Sequence, residues 1–527
     1  AWTCNCRSGS GAYDGDTIFN FGQRAFAYAA PSGYKALCTA NLPTPTIADG
    51  SKYFDTKLYT GNGGTNAQTG LGFSPDFLWL KRRNGANAHA LFDQIRGVTK
   101  ALESSNNGAE KTNDPAIGSF GSNGFTLTGS SNQTNASGQS YVGWAWDAGA
   151  SNTTIAAGGL NSSLYNQSQT WSSGTQSGNA PYGSSSWDYV FNGVIPSTFD
   201  QSNLVYQIAS GGVFTFSSAI SGRIQVYSAL GSSGYLSGNT IVLSDGSSQE
   251  VTNGNSNFVL YDFGTKSNIT SITLNGAGSS SGLGVPGILL DGKLLVDAGV
   301  SITTPSIAST VRANPSAGFS IVSYSGNSTL GATIGHGLNA APGLVVVKAR
   351  NTTQGWCVYH ASLGATKYIQ LDTPGGASTY SRTWNNTSPT SSVFSVGDDN
   401  IVNTGYNYVA YCFAPVESYS QFTSFIGTGG DVFVYLGFKP RLIWFKNSDA
   451  TSNWLCYDTA RNPSNPANFS VQLDEANTDT TVTNDDVDIL SNGFKIKATR
   501  SDLTGSGNRI LVAAWAEHPF ASNARAR

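Results

Sequence analysis

One short pattern occurs three times in this chain and limits its fold more than any other feature. The runs are "GFSPDFLWLKRRN" at 72–84, "NAAPGLVVVKARN" at 339–351 and "GFKPRLIWFKNSD" at 437–449. Pro75, Pro342 and Pro440 align, and six residues later so do Lys81, Lys348 and Lys446; Trp79 and Trp444 match, with Val346 at the same place in the middle copy. Each copy continues in the same way. An aromatic followed by a polar residue comes next (Phe92-Asp93, Tyr359-His360, Tyr457-Asp458), then a short alternating run. Then comes "SNGFTLT" at 122–128, "SSVFSVG" at 391–397 or "SNGFKIK" at 491–497, and a closing apolar run, "YVGWAW" at 141–146, "YVAYCF" at 408–413 or "LVAAWA" at 511–516. Self-similarity of this kind means that one supersecondary unit is used three times.

Spacing then locates a foreign segment. Pro342 to Pro440 is 98 residues, one repeat, whereas Pro75 to Pro342 is 267, an excess of 169. The excess falls between about 150 and 318. It opens on the Ser/Asn-rich stretch 151–179 and continues as alternating apolar runs, including Asp291-Gly292 between two of them, a two-residue hairpin signal. Short strands between Gly- and Asn-rich turns predict an all-β protein of tandem β-sandwiches: three related repeats plus an inserted jelly-roll-like sandwich. The boundaries read as 1–30, the end of a sandwich whose body lies upstream; 31–52, a Pro-rich connector; 53–149, repeat 1; 150–318, the insert; 319–419, repeat 2; and 420–527, repeat 3. With no Met at position 1 or anywhere else, the sequence reads as one that continues upstream. The Pro-to-Lys runs are apolar on both parities, which predicts a central strand covered on both faces.

At this point a resemblance enters. "FNFGQRAFAYAAPSGYKALCTANLPTPTIADGSKYFDTKLYTGNG" followed by "GLGFSPDFLWLKRR", with "GILLDGKLLVDAGV" and "HPFASNARAR", resembles virion structural, tail-fibre-like proteins of marine tailed phages. In those proteins the end of a SPRY-type concanavalin-like domain is followed by sandwich repeats. The resemblance implies a virion, hence extracellular, component. It implies a tail-fibre or adhesin-like part with little chemistry of its own, and the partners expected are other virion proteins, other copies of the chain and a host-surface glycan.

Composition excludes several other classes. The net charge of −3 leaves no electrostatic footprint for nucleic acid, and no apolar run reaches the length of a membrane-spanning helix. Among chemistry-bearing residues there is no zinc-protease, nucleophile-elbow or P-loop motif. The paired carboxylates Asp14/Asp16, Asp398/Asp399, Asp474/Glu475 and Asp485/Asp486/Asp488 sit in polar, turn-like settings, and none recurs in all three repeats. Loop 484–488 lacks the spaced order of a calcium loop, and whether the chain holds a metal stays open at this stage; no cofactor is expected. Lys81 to Asn84 reads as a solvated strand end, and Cys357, Cys412 and Cys456 as small hydrophobes within apolar runs.

The expected ligand-binding residues are loop aromatics. "TPGGASTYSRTWNNTS" at 373–388 places Tyr380, Arg382 and Trp384 in a Gly/Ser/Asn setting, and Trp171 sits in the Ser-rich lead of the insert. Such side chains offer stiff contact area to a sugar ring. Fibre symmetry predicts a homotrimer, with 151–179 lying against another subunit. Two rival readings remain: a cellular surface adhesin or filament subunit, and a glycan depolymerase.

Overall fold

The computed structural model describes residues 45–519 except 113–115, 159–164, 196–198, 200–203, 232–237, 253–257, 279–281, 301–304, 482–486 and 498–499. The expected upstream remnant at 1–30 and most of the 31–52 connector lie outside the described residues, as do Asp14, Asp16, Asp485 and Asp486.

Nearly all regular structure is β, and the Pro-to-Lys strand is interior to the larger sheet of each of the three repeats. Phe77–Arg82 lies between Ser140–Trp146 and Ala90–Asp93. Leu344–Ala349 lies between Asn407–Phe413 and Trp356–His360. Phe438–Asn447 lies between Arg509–Pro519 and Leu455–Asp458. Beyond the closing strand comes the first strand of each unit, Phe54–Thr60, Phe319–Ser325 or Ser420–Ile426, again antiparallel. A smaller sheet covers one face of each large sheet. It is built on Gly124–Leu127, Val393–Val396 and Gly493–Ile496 respectively.

The pairing corrects one detail of the repeat alignment. Lys81 lies opposite Val142 and Lys348 opposite Val409, but Lys446 lies opposite Leu511. The third closing strand therefore corresponds as Ile510 to Trp515, one residue earlier than similarity of letters indicates.

Two-sided burial of the central strand has a specific cause. Leu78 and Leu80 point into the first sandwich's own core, and Val345 and Val347 into the second's. The other parity points elsewhere. Phe77, Trp79, Leu344, Val346, Leu442 and Trp444 join one cluster shared by all three sandwiches. At its centre the equivalent residues Trp146, Phe413 and Trp515 touch one another pairwise, with ring centroids 6.2, 5.7 and 5.3 Å apart. Three equivalent side chains in mutual contact define a pseudo-three-fold axis. The next layer holds Trp79 against Trp444 at 5.3 Å. Aromatic pairs in such tilted and edge-on geometry contribute about 0.5–1.5 kcal/mol each beyond area burial. The three repeats are thus not beads on a string but a closed ring about an aromatic axis.

The insert leaves and re-enters the ring through neighbouring antiparallel strands. Asn152–Ile155 and Ser309–Asn314 pair with each other at the edge of the second sandwich's sheet. Between them lies a nine-stranded sheet with its own core, which includes Phe214, Val226, Ile272 and Ile288. Its two long strands, Gly212–Leu230 and Val259–Asn275, pair through register shifts at 215–225. Bulges of this kind bend a strand, and here they let both halves bury side chains in one core. Asp291 (φ 53°) and Gly292 (φ 77°) make the two-residue turn joining Leu290 to Lys293, the left-handed pair that this hairpin type requires. The described part of 151–179 pairs inside its own chain: Tyr165–Asn166 beside Lys293–Leu295 and Thr175–Gly178 beside Gly212–Leu230.

Candidate functional site

Most polar chemistry in the described chain is concentrated where one sandwich meets the next. Three columns of equivalent residues recur at the three junctions.

The first column holds Asp93, His360 and Asp458. In the third sandwich Asp458 is fully buried and accepts from the Ala460 and Arg461 amides and from Arg461 Nε at 2.6 Å. Its fourth donor is Trp144 Nε1 of the first sandwich, at 3.0 Å. Burial alone would raise this carboxyl, but the Arg461 charge and these hydrogen bonds outweigh burial and hold it below the usual range. Arg461 also lies 5.5 Å from the Trp144 ring, a cation–π contact across the junction. The first sandwich repeats the device towards the second. Asp93 pairs with Arg96 and accepts from Tyr411 OH at 2.8 Å. The third junction is built differently. Leu363 stands where the others have arginine, and Ala513 where they have Trp144 and Tyr411. His360 Nδ1 accepts from the Ser362 amide, so Nε2 carries the hydrogen and donates to Val512 O at 3.3 Å. Burial pushes the His360 imidazole down to about 4, which keeps it neutral.

The second column is symmetric. Lys81, Lys348 and Lys446 are all fully buried. Each donates to a carbonyl of its own loop (Asn87, Gln354, Ser452) and to one of the neighbouring sandwich (Ala476, Asn107, Pro374). Burial pushes each ammonium down to about 8. This overturns the reading of Lys81 as part of a solvated strand end; its carbon stem lies under the shared core and its head caps carbonyls that would otherwise be orphaned.

The third column is His89, Trp356 and Trp454. Each ring nitrogen meets a carbonyl of the neighbouring sandwich: Gln472, Glu103 and Gln370, at 3.0, 2.9 and 2.8 Å. Main-chain bonds add a further three-fold set, Asp479 to Arg83, Glu110 to Arg350 and Ala377 to Ser448. Sequence reasoning had isolated the aromatic–Asp/His column without its meaning and had not found Arg96 and Arg461. Their identical spacing of three from Asp93 and Asp458 was the available signal.

The loop aromatics are placed otherwise than expected. Trp384 ends the one-turn helix Ser381–Trp384, is 1% exposed and packs edge-on against Tyr359 at 5.8 Å. Trp171 is 4% exposed in the core of the insert, its Nε1 donating to Asn166 O. Neither presents a ring face to a ligand, because the short turns carrying them point inward to close the open end of a sandwich. Trp171 and loop 373–388 lie in separate sandwiches and form no common site. Tyr380 and Arg382 do reach the surface, but each is held by a carboxylate: Tyr380 OH donates to Asp399 and Arg382 Nε to Asp398. Of the other paired carboxylates, Asp474 is buried, accepts from the Trp454 amide and is pushed up to about 7 by burial. Asp488 pairs with Lys497. Among the described residues no group of three or more His, Cys, Asp or Glu side chains is placed to hold a metal ion. Cys357, Cys412 and Cys456 are free and buried.

Fold and junctions together define a class: a single-chain ring of three β-sandwiches closed about a pseudo-three-fold axis, with a fourth sandwich carried on one edge. The chain belongs to the family described as Domain of unknown function (DUF7483), which matches residues 49–184 and 294–519 and so takes in all three ring sandwiches and both ends of the insert. No curated protein and no solved structure matches the chain.

Proposed function

We propose that this protein is a non-enzymatic structural component of a phage virion, part of a tail fibre or related appendage that contributes to attachment at the host surface. The observation that supports this most directly is where the perturbed ionisable groups sit. Catalytic acids and bases must face a reactant, and strongly shifted groups in clefts are the usual sign of one. Here Asp458, His360 and the three lysines are used in joining sandwiches. A ring of this kind is a rigid mount, and the insert projecting from it supplies a separate surface. The family resemblance carried by the sequence motifs supplies the virion context.

A homotrimer remains part of the proposal, with one change in its meaning. The ring needs no second copy to complete its three-fold core, so copies would associate through outer faces. Light scattering at micromolar concentration reads this directly, as a mass near 55.1 kDa or three times that. The test of the main reading is immunogold labelling of purified virions with antibody to the ring. Label on the tail or its fibres is the expected result. Label confined to the bacterial envelope would favour a cellular adhesin, and release of reducing ends from host polysaccharide would overturn the non-enzymatic reading.

A further inference from the structure

The outer face of the third sandwich's small sheet differs from its two counterparts. In the first sandwich the edge strand Asn66–Thr69 turns Ala67 and Thr69 outward; in the second, Ala332–Gly335 has Thr333 and Gly335 at these positions. The equivalent strand Val432–Tyr435 turns out Phe433 and Tyr435, which are 51% and 58% exposed. Side chains two apart on one strand face stand about 7 Å from each other. Two rings therefore lie in a row on a flat sheet where the sister sandwiches carry small residues.

A groove of about 400 Å³ opens beside Tyr435. Pro415 and Leu436 supply its apolar wall, and Glu417, Ser418 and Gln421 its hydroxyl, amide and carboxylate groups. An edge of the Tyr435 ring rests near Gly437, where φ is +79° and an added Cβ would meet the hydroxyl at 3.6 Å. The charges around the aromatic row are already matched: Lys495 with Asp431 at 2.6 Å and Lys497 with Asp488 at 2.8 Å. An anionic ligand would gain little there, since both lysines are paired and the groove itself carries the Glu417 carboxylate. A ligand with apolar ring faces and neutral hydroxyl edges fits both halves of the surface. The apolar part is two rings interrupted by ion pairs, far short of the roughly 800 Å² per partner of a stable protein–protein contact.

We infer that Phe433, Tyr435 and the adjoining groove bind a neutral hexose glycan, the sugar faces stacking on the rings and the hydroxyls meeting Glu417, Ser418 and Gln421. This rests on the host-attachment reading above and names its ligand class. The test is binding of cellohexaose, laminarihexaose, maltohexaose and a neutral galactan to the full chain by isothermal titration calorimetry. It is paired with the double variant Phe433→Ala/Tyr435→Thr. That variant installs the residues the first sandwich carries at these positions, both sites are exposed, and an unchanged melting curve verifies its fold. The expected result is binding of at least one neutral glycan at roughly millimolar concentration, weakened tenfold or more in the variant. A wild-type protein that binds none of the four, or a variant that binds as well as wild type, overturns the inference. So does a variant whose only change is a lower mass in sedimentation, which would make the face a contact between copies. Virion labelling is unaffected by any of these outcomes, so failure of this site and failure of the host-attachment reading are told apart.

Discussion

The junction between the first and third sandwiches and the junction between the second and third solve the same packing problem with different chemistry. Asp458 is a buried charge satisfied by an arginine three residues on and by an indole from across the boundary. His360, at the equivalent position, is a neutral ring with one weak hydrogen bond to a main-chain carbonyl, beside a leucine and opposite an alanine. Charge, counter-charge and cross-boundary donor have been exchanged together. The lesson is that a buried ion pair is replaceable only as a set, because any member left behind is an uncompensated buried group.

The largest effect should come from breaking a set. Asp458→Ala leaves the buried Arg461 with only its longer carboxylate contact, to Asp479 at 3.2 Å, and strips the Trp144 indole of its acceptor; it should cost about 3–5 kcal/mol in urea unfolding followed by tryptophan fluorescence. His360→Ala loses two long hydrogen bonds, neither to a charged group, and some packing, and should cost about 1–2 kcal/mol. Equal losses would erase the distinction between the junctions. Converting one junction towards the other sharpens it further. His360→Asp alone places a carboxylate beside Leu363 and should destabilise by several kcal/mol, roughly as a broken pair does, and adding Leu363→Arg should restore at least half of the loss.

The lysine column serves as the control, because it is the same at all three junctions. Lys81→Met, Lys348→Met and Lys446→Met each strip donors from buried carbonyls, and each should cost about 1–3 kcal/mol, the three agreeing within about 1 kcal/mol. A spread as wide as that between Asp458 and His360 would show that the junctions differ throughout.

pH gives a smaller and more specific readout. His360 is held near 4, below the ordinary value of 6.5, so between these values the unfolded chain binds a proton that the folded chain refuses. Stability from this group is therefore present above pH 6.5 and lost as pH falls towards 4. Asp474 and Asp76, both pushed up to about 7 by burial, act in the opposite sense over pH 3.8–7. A comparison of wild type with His360→Gln cancels those groups. The difference should approach about one proton in the slope of stability against pH between 4.5 and 6. Parallel curves would mean that the imidazole is protonated in the fold.

The smallest effect should follow excision of the insert. Joining residue 158 to residue 305 by a short Gly/Asn turn closes a hairpin between segments already bonded and keeps Ile307 in the second sandwich's core, so the ring should change by about 1 kcal/mol or less in the same unfolding assay. Loss of the ring's cooperative transition would show instead that the insert supports it.

These contrasts mark where the sequence could be read and where it could not. The three units, the insert and its Asp291-Gly292 turn follow from spacing and turn chemistry, because proline, glycine and lysine positions survive when packing residues change. The ring did not follow. Phe77 and Trp79 are apolar on the parity opposite Leu78 and Leu80, and apolarity alone says that a face is covered, not that a sister sandwich covers it. The one-residue slip at 510–515 arose because Ile510 replaces the tyrosine that opens the other two closing strands, and because bulges around Pro440 disturb the local register. Trp384 and Trp171 were misplaced for a related reason. A Gly/Ser/Asn context reports that the backbone turns, and it carries no information about the direction in which one large ring within the turn will point.

Ring closure has a consequence for how the chain holds together when damaged. Three boundaries are joined by only two covalent links, so the first and third sandwiches are held to each other by contact alone, and each is also joined by chain to the second. A single cut at the exposed 415–418 connector leaves each fragment facing its neighbour on two sides, and separation requires both faces to let go at once. The fold is in this respect redundant, like a three-legged frame with cross-braces, and its backbone can be nicked or permuted between sandwiches without the parts dispersing.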